Sequence, residues 1–217
     1  MDKTILLEFE TMRKCCVCSN YITLEKELDN SVYYGTTQKN KLIYHRECLK
    51  KKMFSKKGNK LTESDIDILI DDLFKDGIGH LEGLIYKNHL YLLLMKKYDI
   101  ITLPNYIFTK MEQIFKGEFK KMNKPIPPEH LLDMWQKKMS FLDGLYHKEK
   151  MDGVSRINYD LAVLIAKYPS YLDWMGKTKT EKKEVVQYVA KQKIIFDNVK
   201  SNKKAENTNI FDDEEQL

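Results

Sequence analysis

Two short pairs of soft or borderline metal ligands sit near the start of the chain. Cys15 and Cys18 are two residues apart; after 26 more residues His45 and Cys48 repeat the gap. A two-residue gap lets the chain fold back so that both side chains reach one ion. Two such pairs supply the four ligands of a tetrahedral zinc site. Three thiolates and a neutral imidazole would leave zinc with a net charge of about −1, which neighbouring lysines can offset. All four cysteines, Cys15, Cys16, Cys18 and Cys48, lie in the first quarter of the sequence. A reducing cytosol disfavours a disulfide framework for them. The bland alternative is a set of buried free cysteines with an incidental histidine. Cys16 is either a spare thiol or a substitute for Cys15, and the usual gap favours the Cys15/Cys18 register. Asn20 follows the first pair, where a turn often needs a positive φ.

The stretch Cys15-Cys16-Val17-Cys18-Ser19-Asn20-Tyr21-Ile22, with Leu42-Ile43-Tyr44-His45-Arg46-Glu47-Cys48-Leu49 later, resembles a single-zinc treble clef. It is similar to the first zinc half of a LIM domain. The resemblance implies a knuckle on a β-hairpin carrying Cys15 and Cys18, and a strand-to-helix junction carrying His45 and Cys48. Tyr44 fills the aromatic position that commonly precedes the histidine. The likeness covers about residues 12–53, and no second ligand set follows Cys48 as it would in a full LIM domain. The chain also resembles small zinc-bearing proteins of phages and prophages in low-GC Gram-positive bacteria, which join such a module to a helical region.

Around the second ligand pair the charge is lopsided. Lys39, Lys41, Arg46, Lys50, Lys51, Lys52, Lys56, Lys57 and Lys60 face only Glu47, a net of +8 in 22 residues. A lysine-rich helix after the second pair could neutralise phosphates in a salt-dependent way. Tyr33, Tyr34, Tyr44 and Phe54 could stack on bases. The competing reading is a solvated face: lysine makes point contacts rather than the forked contacts of arginine, so base-specific readout is poorly supported.

The elements that must hold these residues follow from periodicity. The module is expected over residues 1–56, an all-α domain over 61–197 and a disordered acidic tail over 198–217. Thr62-Glu63-Ser64-Asp65 opens a helix with Ile66, Leu69, Ile70, Leu73 and Phe74 inward, and Gly77 and Gly79 are expected to end it. Leu84 to Tyr98 reads as a second, centrally buried helix, with His80 and His89 as ordinary boundary residues. Pro104 starts a helix with Ile107, Phe108, Met111, Ile114 and Phe115 on one stripe, stopped by Gly117. Pro127-Pro128 opens another, with Leu131, Leu132, Trp135, Met139 and Leu142 inward, to about Gly144. Asn158 is expected to cap a helix that Pro169 breaks, and Thr178 or Thr180 a last one through Phe196. The fold class is therefore mainly α, with a small treble-clef zinc module (β-hairpin plus helix) in front.

The chain has 217 residues, 42% of them hydrophobic, and only 9 glycines and 5 prolines, which argues against a β-rich sandwich. Its net charge is +5, but residues 205–217 hold five acids and no Lys or Arg. Without them 37 basic residues face 27 acidic ones (32 minus 5), a net of +10. The apolar-acidic tip Ile210-Phe211-Asp212-Asp213-Glu214-Glu215 could engage a basic groove, although a solubilising tail explains it more simply. No apolar run approaches a membrane span, and Met1-Asp2-Lys3 lacks a signal-peptide pattern, so the expectation is a cytoplasmic protein, in the host cytoplasm if phage-encoded. No nucleophile elbow or phosphate loop is visible. Asp67 and Asp71, one turn apart, could hold magnesium, or simply form a solvated face. The sequence thus points first to a non-enzymatic protein with structural zinc that contacts nucleic acid in a regulatory or host-interaction role. A LIM-like adaptor acting on a host protein comes second, and a metal-dependent nuclease third.

Overall fold

The first fifty positions build two small antiparallel hairpins rather than one. In the computed structural model the described residues are 10–35, 42–56, 60–120, 122, 124–145, 151 and 153–178. β1 (Met12–Lys14) pairs with β2 (Tyr21–Thr23), Arg13 lying opposite Ile22. A single helical turn, α1 (Leu24–Glu27), and a 3-10 turn (Leu28–Asn30) lead to β3 (Ser31–Tyr34). β3 pairs with β4 (Leu42–His45) and puts Ser31 opposite His45. The chain then enters α2 (Arg46–Phe54), α3 (Glu63–Lys97), α4 (Asn105–Lys116) and α5 (Pro128–Gly144). Residues 153–178 form α6. The described part is mainly helical, with six helices and the Cys/His region in front. No helix among the described residues is long and apolar enough to cross a membrane. The chain divides into two units, residues 1–165 and 166–217.

The second hairpin feeds two cores because successive side chains leave a strand on opposite faces. Ile43, with the part-buried Tyr33 opposite it, packs with Cys15, Ile22, Leu24 and Leu81. Val32 and Tyr44, also opposite one another, pack with Leu49, Ile66 and Ile70. Each core contains side chains of α3, so this helix carries both. Its start is a capping box: Asp65 N–H donates to the Thr62 hydroxyl at 3.2 Å, and Thr62 N–H to the Asp65 carboxylate at 2.9 Å.

The expected break in this helix is absent. α3 runs for 35 residues, about 52 Å, through both Gly77 and Gly79. Gly77 is buried because β3 presses on it: a Cβ there would sit 3.0 Å from the Tyr33 carbonyl oxygen and 3.1 Å from Tyr33 Cβ. The missing side chain therefore serves a close approach of strand and helix. His80, one turn on, stacks on the Tyr33 ring at 3.8 Å between centroids. Further along, α3 packs against α5.

The helical stripes of α4 and α5 largely match their periodicity: Ile107, Met111, Ile114, Leu131, Leu132, Trp135 and Leu142 are buried, while Phe108, Phe115 and Met139 are part-buried. Gly117 ends α4 at φ 75°, a left-handed cap that glycine adopts without penalty. A buried polar relay joins the end of α3 to α5 and α6. Trp135 Nε1 donates to the Tyr98 hydroxyl at 3.0 Å, and that hydroxyl donates to Asp160. Burial pushes the Asp160 carboxyl above its usual range, although Tyr98 and Arg156 oppose the shift.

α6 departs from expectation at both points where punctuation was read. It is already helical at residue 153, ahead of Asn158. The Asn158 amide instead makes tertiary contacts, donating to the Tyr106 hydroxyl at 3.1 Å and accepting from Lys110. The helix also runs through Pro169. Proline has no N–H for the Ile165 carbonyl, so one helical bond is lost there. The first unit ends at that same residue, Ile165. Thr178 lies in the last described turn and donates back to the Trp174 carbonyl at 3.0 Å. The remainder of the expected last helix, to Phe196, and the tail over 198–217 lie outside the described residues.

Glu25 ties the chain before β1 to α1 and α3. Its carboxylate accepts from Thr11 N–H at 2.7 and 2.9 Å and from the Thr11 hydroxyl at 2.6 Å, and it lies 3.1 Å from His89 Nε2. Burial alone would raise its pKa; the Thr11 bonds and the nearby His89 bring it below the usual value. A carboxylate with a depressed folded pKa stabilises the fold above its unfolded pKa, about 4.3, and loses that contribution as pH falls through the folded value. Glu25→Gln is expected to destabilise the fold by about 2 kcal/mol at neutral pH. It should also flatten the acid limb below about pH 4.3, both effects read by urea titration across pH.

Gly77 gives a second expectation. Gly77→Val should destabilise by about 2 kcal/mol, since β3 cannot yield without losing its cores. Gly83→Ala, with nothing within 4 Å of the added carbon, should stabilise by about 0.5–1 kcal/mol through helix propensity. Urea midpoints moving in the same direction for both variants would refute the close-approach account.

Candidate metal centre

A turn, a strand end and a helix start place the ligand-type residues. The β1–β2 hairpin turn holds Cys15 and Cys18. Cys15 N–H donates to the Asn20 carbonyl at 2.8 Å, and Ser19 N–H to the Cys15 carbonyl at 3.0 Å. The positive φ of this turn falls on Ser19, at 64°, one residue before the expected Asn20. Asn20 is committed instead through its carbonyl to Cys15. Cys16 N–H donates to the Ile43 carbonyl at 3.2 Å and so fastens the turn to β4. β4 ends at His45, and Cys48 sits in the first turn of α2. The pairing of β3 with β4 and of the turn with β4 brings the two halves of the set together.

The ligand atoms of Cys15, Cys18, His45 and Cys48 all lie within 4.8 Å of one another. His45 Nδ1 is 3.4 Å from Cys18 Sγ and 3.8 Å from Cys48 Sγ. Ligand–ligand edges of a tetrahedron built on usual Zn–S and Zn–N lengths are about 3.5–3.8 Å. The donors are thus spaced to hold one ion. Cys15 is buried, Cys18 exposed, and Cys48 between. Cys16 is exposed and stands outside the cluster.

The electrostatics of the bare thiols favour a cation. Burial pushes the Cys15 thiol up, but hydrogen bonds from the backbone around Cys18, His45 and Val17 outweigh it and bring the pKa down to about 6. Burial, reinforced by the neighbouring sulfurs of Cys18 and Cys15, pushes Cys48 up to about 11. Three thiolates at this separation repel one another, and a bound divalent ion removes that penalty by holding all three deprotonated.

Glu27 is a contributor that residue spacing did not single out. His45 offers Nδ1 to the cluster and turns Nε2 toward the Glu27 carboxylate, 3.8 Å away. Glu27 also accepts from Thr23 N–H at 3.3 Å. At this distance the contact is electrostatic rather than a hydrogen bond, and negative charge behind a ligating histidine strengthens it as a donor. The signal lies in the tertiary pairing of β3 with β4, since 17 residues separate Glu27 from His45.

The basic segment is placed differently from the ligand set. Arg46 pairs with Asp71 of α3. Lys50 lies 2.9 Å from Asp67 and 3.0 Å from Glu63, and hydrogen bonding to Asp67 and then Glu63 raises it to about 12. Asp67 and Asp71, weighed above as a magnesium pair, thus face cations of α2. Lys52 lies over the Tyr44 ring, 5.0 Å from its centroid. Lys51, Lys52 and Lys56 are exposed. Lys39, Lys41 and Lys57 lie outside the described residues.

Against known proteins the chain finds no counterpart: no family model, no curated protein and no solved structure matches it. The geometry of the cluster carries the functional reading by itself. Glu27→Gln keeps an acceptor for Thr23 and removes the charge behind His45, and should weaken metal affinity about tenfold. A chelator competition titration checks this, with the exposed neighbour variant Lys26→Gln expected to bind as the parent does.

Proposed function

We propose that residues 10–56 form a single-zinc treble clef and that the metal is structural. Cys15, Cys18, His45 and Cys48 would hold it, and when bound it cross-links the two hairpins and the start of α2. The observation that carries this reading is the convergence of these four donors within 4.8 Å from two sequence-distant pairs. The chemistry of the set supports zinc, since three thiolates and an imidazole suit a borderline-soft ion with no geometric preference of its own. A segment of about 45 residues buries too little core to stand alone. Here the metal site and α3 share the task.

On this module we place an adaptor role: a non-enzymatic protein that presents the treble clef and the α2–α3 face to a protein partner. Two observations support it over the reading in which the module binds nucleic acid. Arg46 and Lys50 are matched by carboxylates of α3, which lowers the local positive potential. The same face exposes apolar side chains, Leu42, Leu61 and Leu69 among them. The nucleic-acid reading comes second and rests on the exposed Lys51, Lys52 and Lys56. The setting we propose, a phage or prophage protein acting on a host partner in the cytoplasm, rests on the sequence resemblance.

Metal analysis of the purified chain tests the foundation. One zinc per chain is expected, falling to well under half in Cys18→Ser and Cys48→Ser. Amide exchange over residues 10–56 should accelerate more than tenfold on chelation, because binding free energy is folding free energy in such modules. A metal-free protein with unchanged exchange after chelator would refute the structural-zinc reading.

A further inference from the structure

A groove of about 760 Å³ opens between the second hairpin, α2 and the first turns of α3, lined by Tyr34, Leu42, Leu61, Leu69, Lys52 and Lys56 among others. Leu42, Leu61 and Leu69 keep 43%, 46% and 39% of their surface in water. Leu69 lies within the apolar periodicity of α3, three residues after the buried Ile66, yet it faces this groove. The same two helices expose Phe54 and Ile68 at 55% and 60%. Apolar side chains gathered in one open groove mark an interaction site.

The charge of the lining says what the partner carries. Its charged side chains among the described residues are Lys52 and Lys56, with no carboxylate. The acids of α3 that could have neutralised it, Asp67 and Asp71, pair with Lys50 and Arg46. Lys52 is held over the Tyr44 ring with its ammonium 3.3 Å from the Tyr44 hydroxyl. The groove therefore combines branched aliphatic side chains with two positive charges. Of the two aromatics in the lining, Tyr44 is buried beneath Lys52 and Tyr34 is part-buried, while the leucines are the side chains left open; leucines accept apolar side chains rather than stack on bases, so the lining favours a polypeptide over single-stranded nucleic acid.

We propose that this groove docks an acidic amphipathic segment of a partner protein, with apolar residues against Leu42, Leu61 and Leu69 and carboxylates at Lys52 and Lys56. The inference rests on the adaptor reading and specifies its partner.

The zinc-loaded full chain is titrated by fluorescence anisotropy with four labelled probes. These are an amphipathic peptide with leucines on one face and glutamates on the other, its lysine counterpart, a serine-for-leucine counterpart, and a single-stranded DNA oligonucleotide. The glutamate–leucine peptide should bind at least tenfold more tightly than the other three. Leu69→Asp, and separately Lys52→Glu with Lys56→Glu, should each weaken it tenfold or more. Thermal melts and zinc content confirm that the variants stay folded, and Leu61→Ser serves where Leu69→Asp does not. Equal binding of the lysine peptide, tighter binding of the oligonucleotide, or indifference to the groove variants would overturn the proposal. A chain ending at residue 204 that binds the peptide much more tightly than the full chain would also overturn it, because the occupant would then be residues 205–217. If the groove variants bind normally but chelation abolishes peptide binding, the adaptor reading survives and the groove assignment fails. If neither chelation nor any groove variant changes binding, both fall.

Discussion

The contact of β3 with the backbone of α3 at Gly77 is the constraint on which the N-terminal region depends. A strand can lie that close to a helix only where the helix has no side chain, and the approach sets the depth at which the hairpin seats. From that seat Ile43 reaches Leu81, and Val32 and Tyr44 reach Ile66 and Ile70. β4, paired with β3, is thereby fixed, and His45 at its end is aimed at the turn that carries Cys15 and Cys18. The metal-ligand set is thus positioned by a steric allowance on another element. A glycine in mid-helix costs about 1 kcal/mol in propensity, which the two hydrophobic cores offset.

The metal set and the helix contact solve one problem from two sides. Two three-residue strands and two four-residue strands bury little by themselves. An ion held by four residues would fix the turn of the first hairpin to the end of the second and to α2. α3 supplies the apolar wall against which both cores pack. Glu25 closes the arrangement from the other end by holding Thr11 and meeting His89. The interactions are of different kinds, so they would fail under different conditions: a bound ion to chelation, the Glu25 ties to acid, the cores to volume changes.

What was legible in the sequence was whatever local spacing encodes. Cys15/Cys18 and His45/Cys48 converge as their gaps suggest, because a two-residue gap is a property of a single turn. The stripes of α4 and α5 and the Thr62–Asp65 cap are local in the same sense. Gly77 misleads because its reason lies in Tyr33, 44 residues away. Pro169 misleads because a proline costs a helix one hydrogen bond and a kink, which neighbouring turns can absorb. Glu27 and Leu69 were illegible for the same cause: one acts through strand pairing, the other through a groove that exists only once α2 meets α3.

Charge shows the same limit more sharply. In sequence, residues 39–60 are a +8 block, and the acids of residues 63–72 belong to a different helix. In space α2 lies against α3, and Arg46 and Lys50 find Asp71, Asp67 and Glu63. A linear charge count treats every lysine as a phosphate contact in waiting. Among the described residues the folded arrangement divides the cations into those that hold helices together, Arg46 and Lys50, and those that face outward. Only the second kind is free to meet a partner, and Lys52 and Lys56 stand among them, beside leucines. Positive charge set in an aliphatic surface discriminates by what it rejects as much as by what it attracts: a basic segment is repelled, and a phosphate backbone finds few apolar groups of its own to bury.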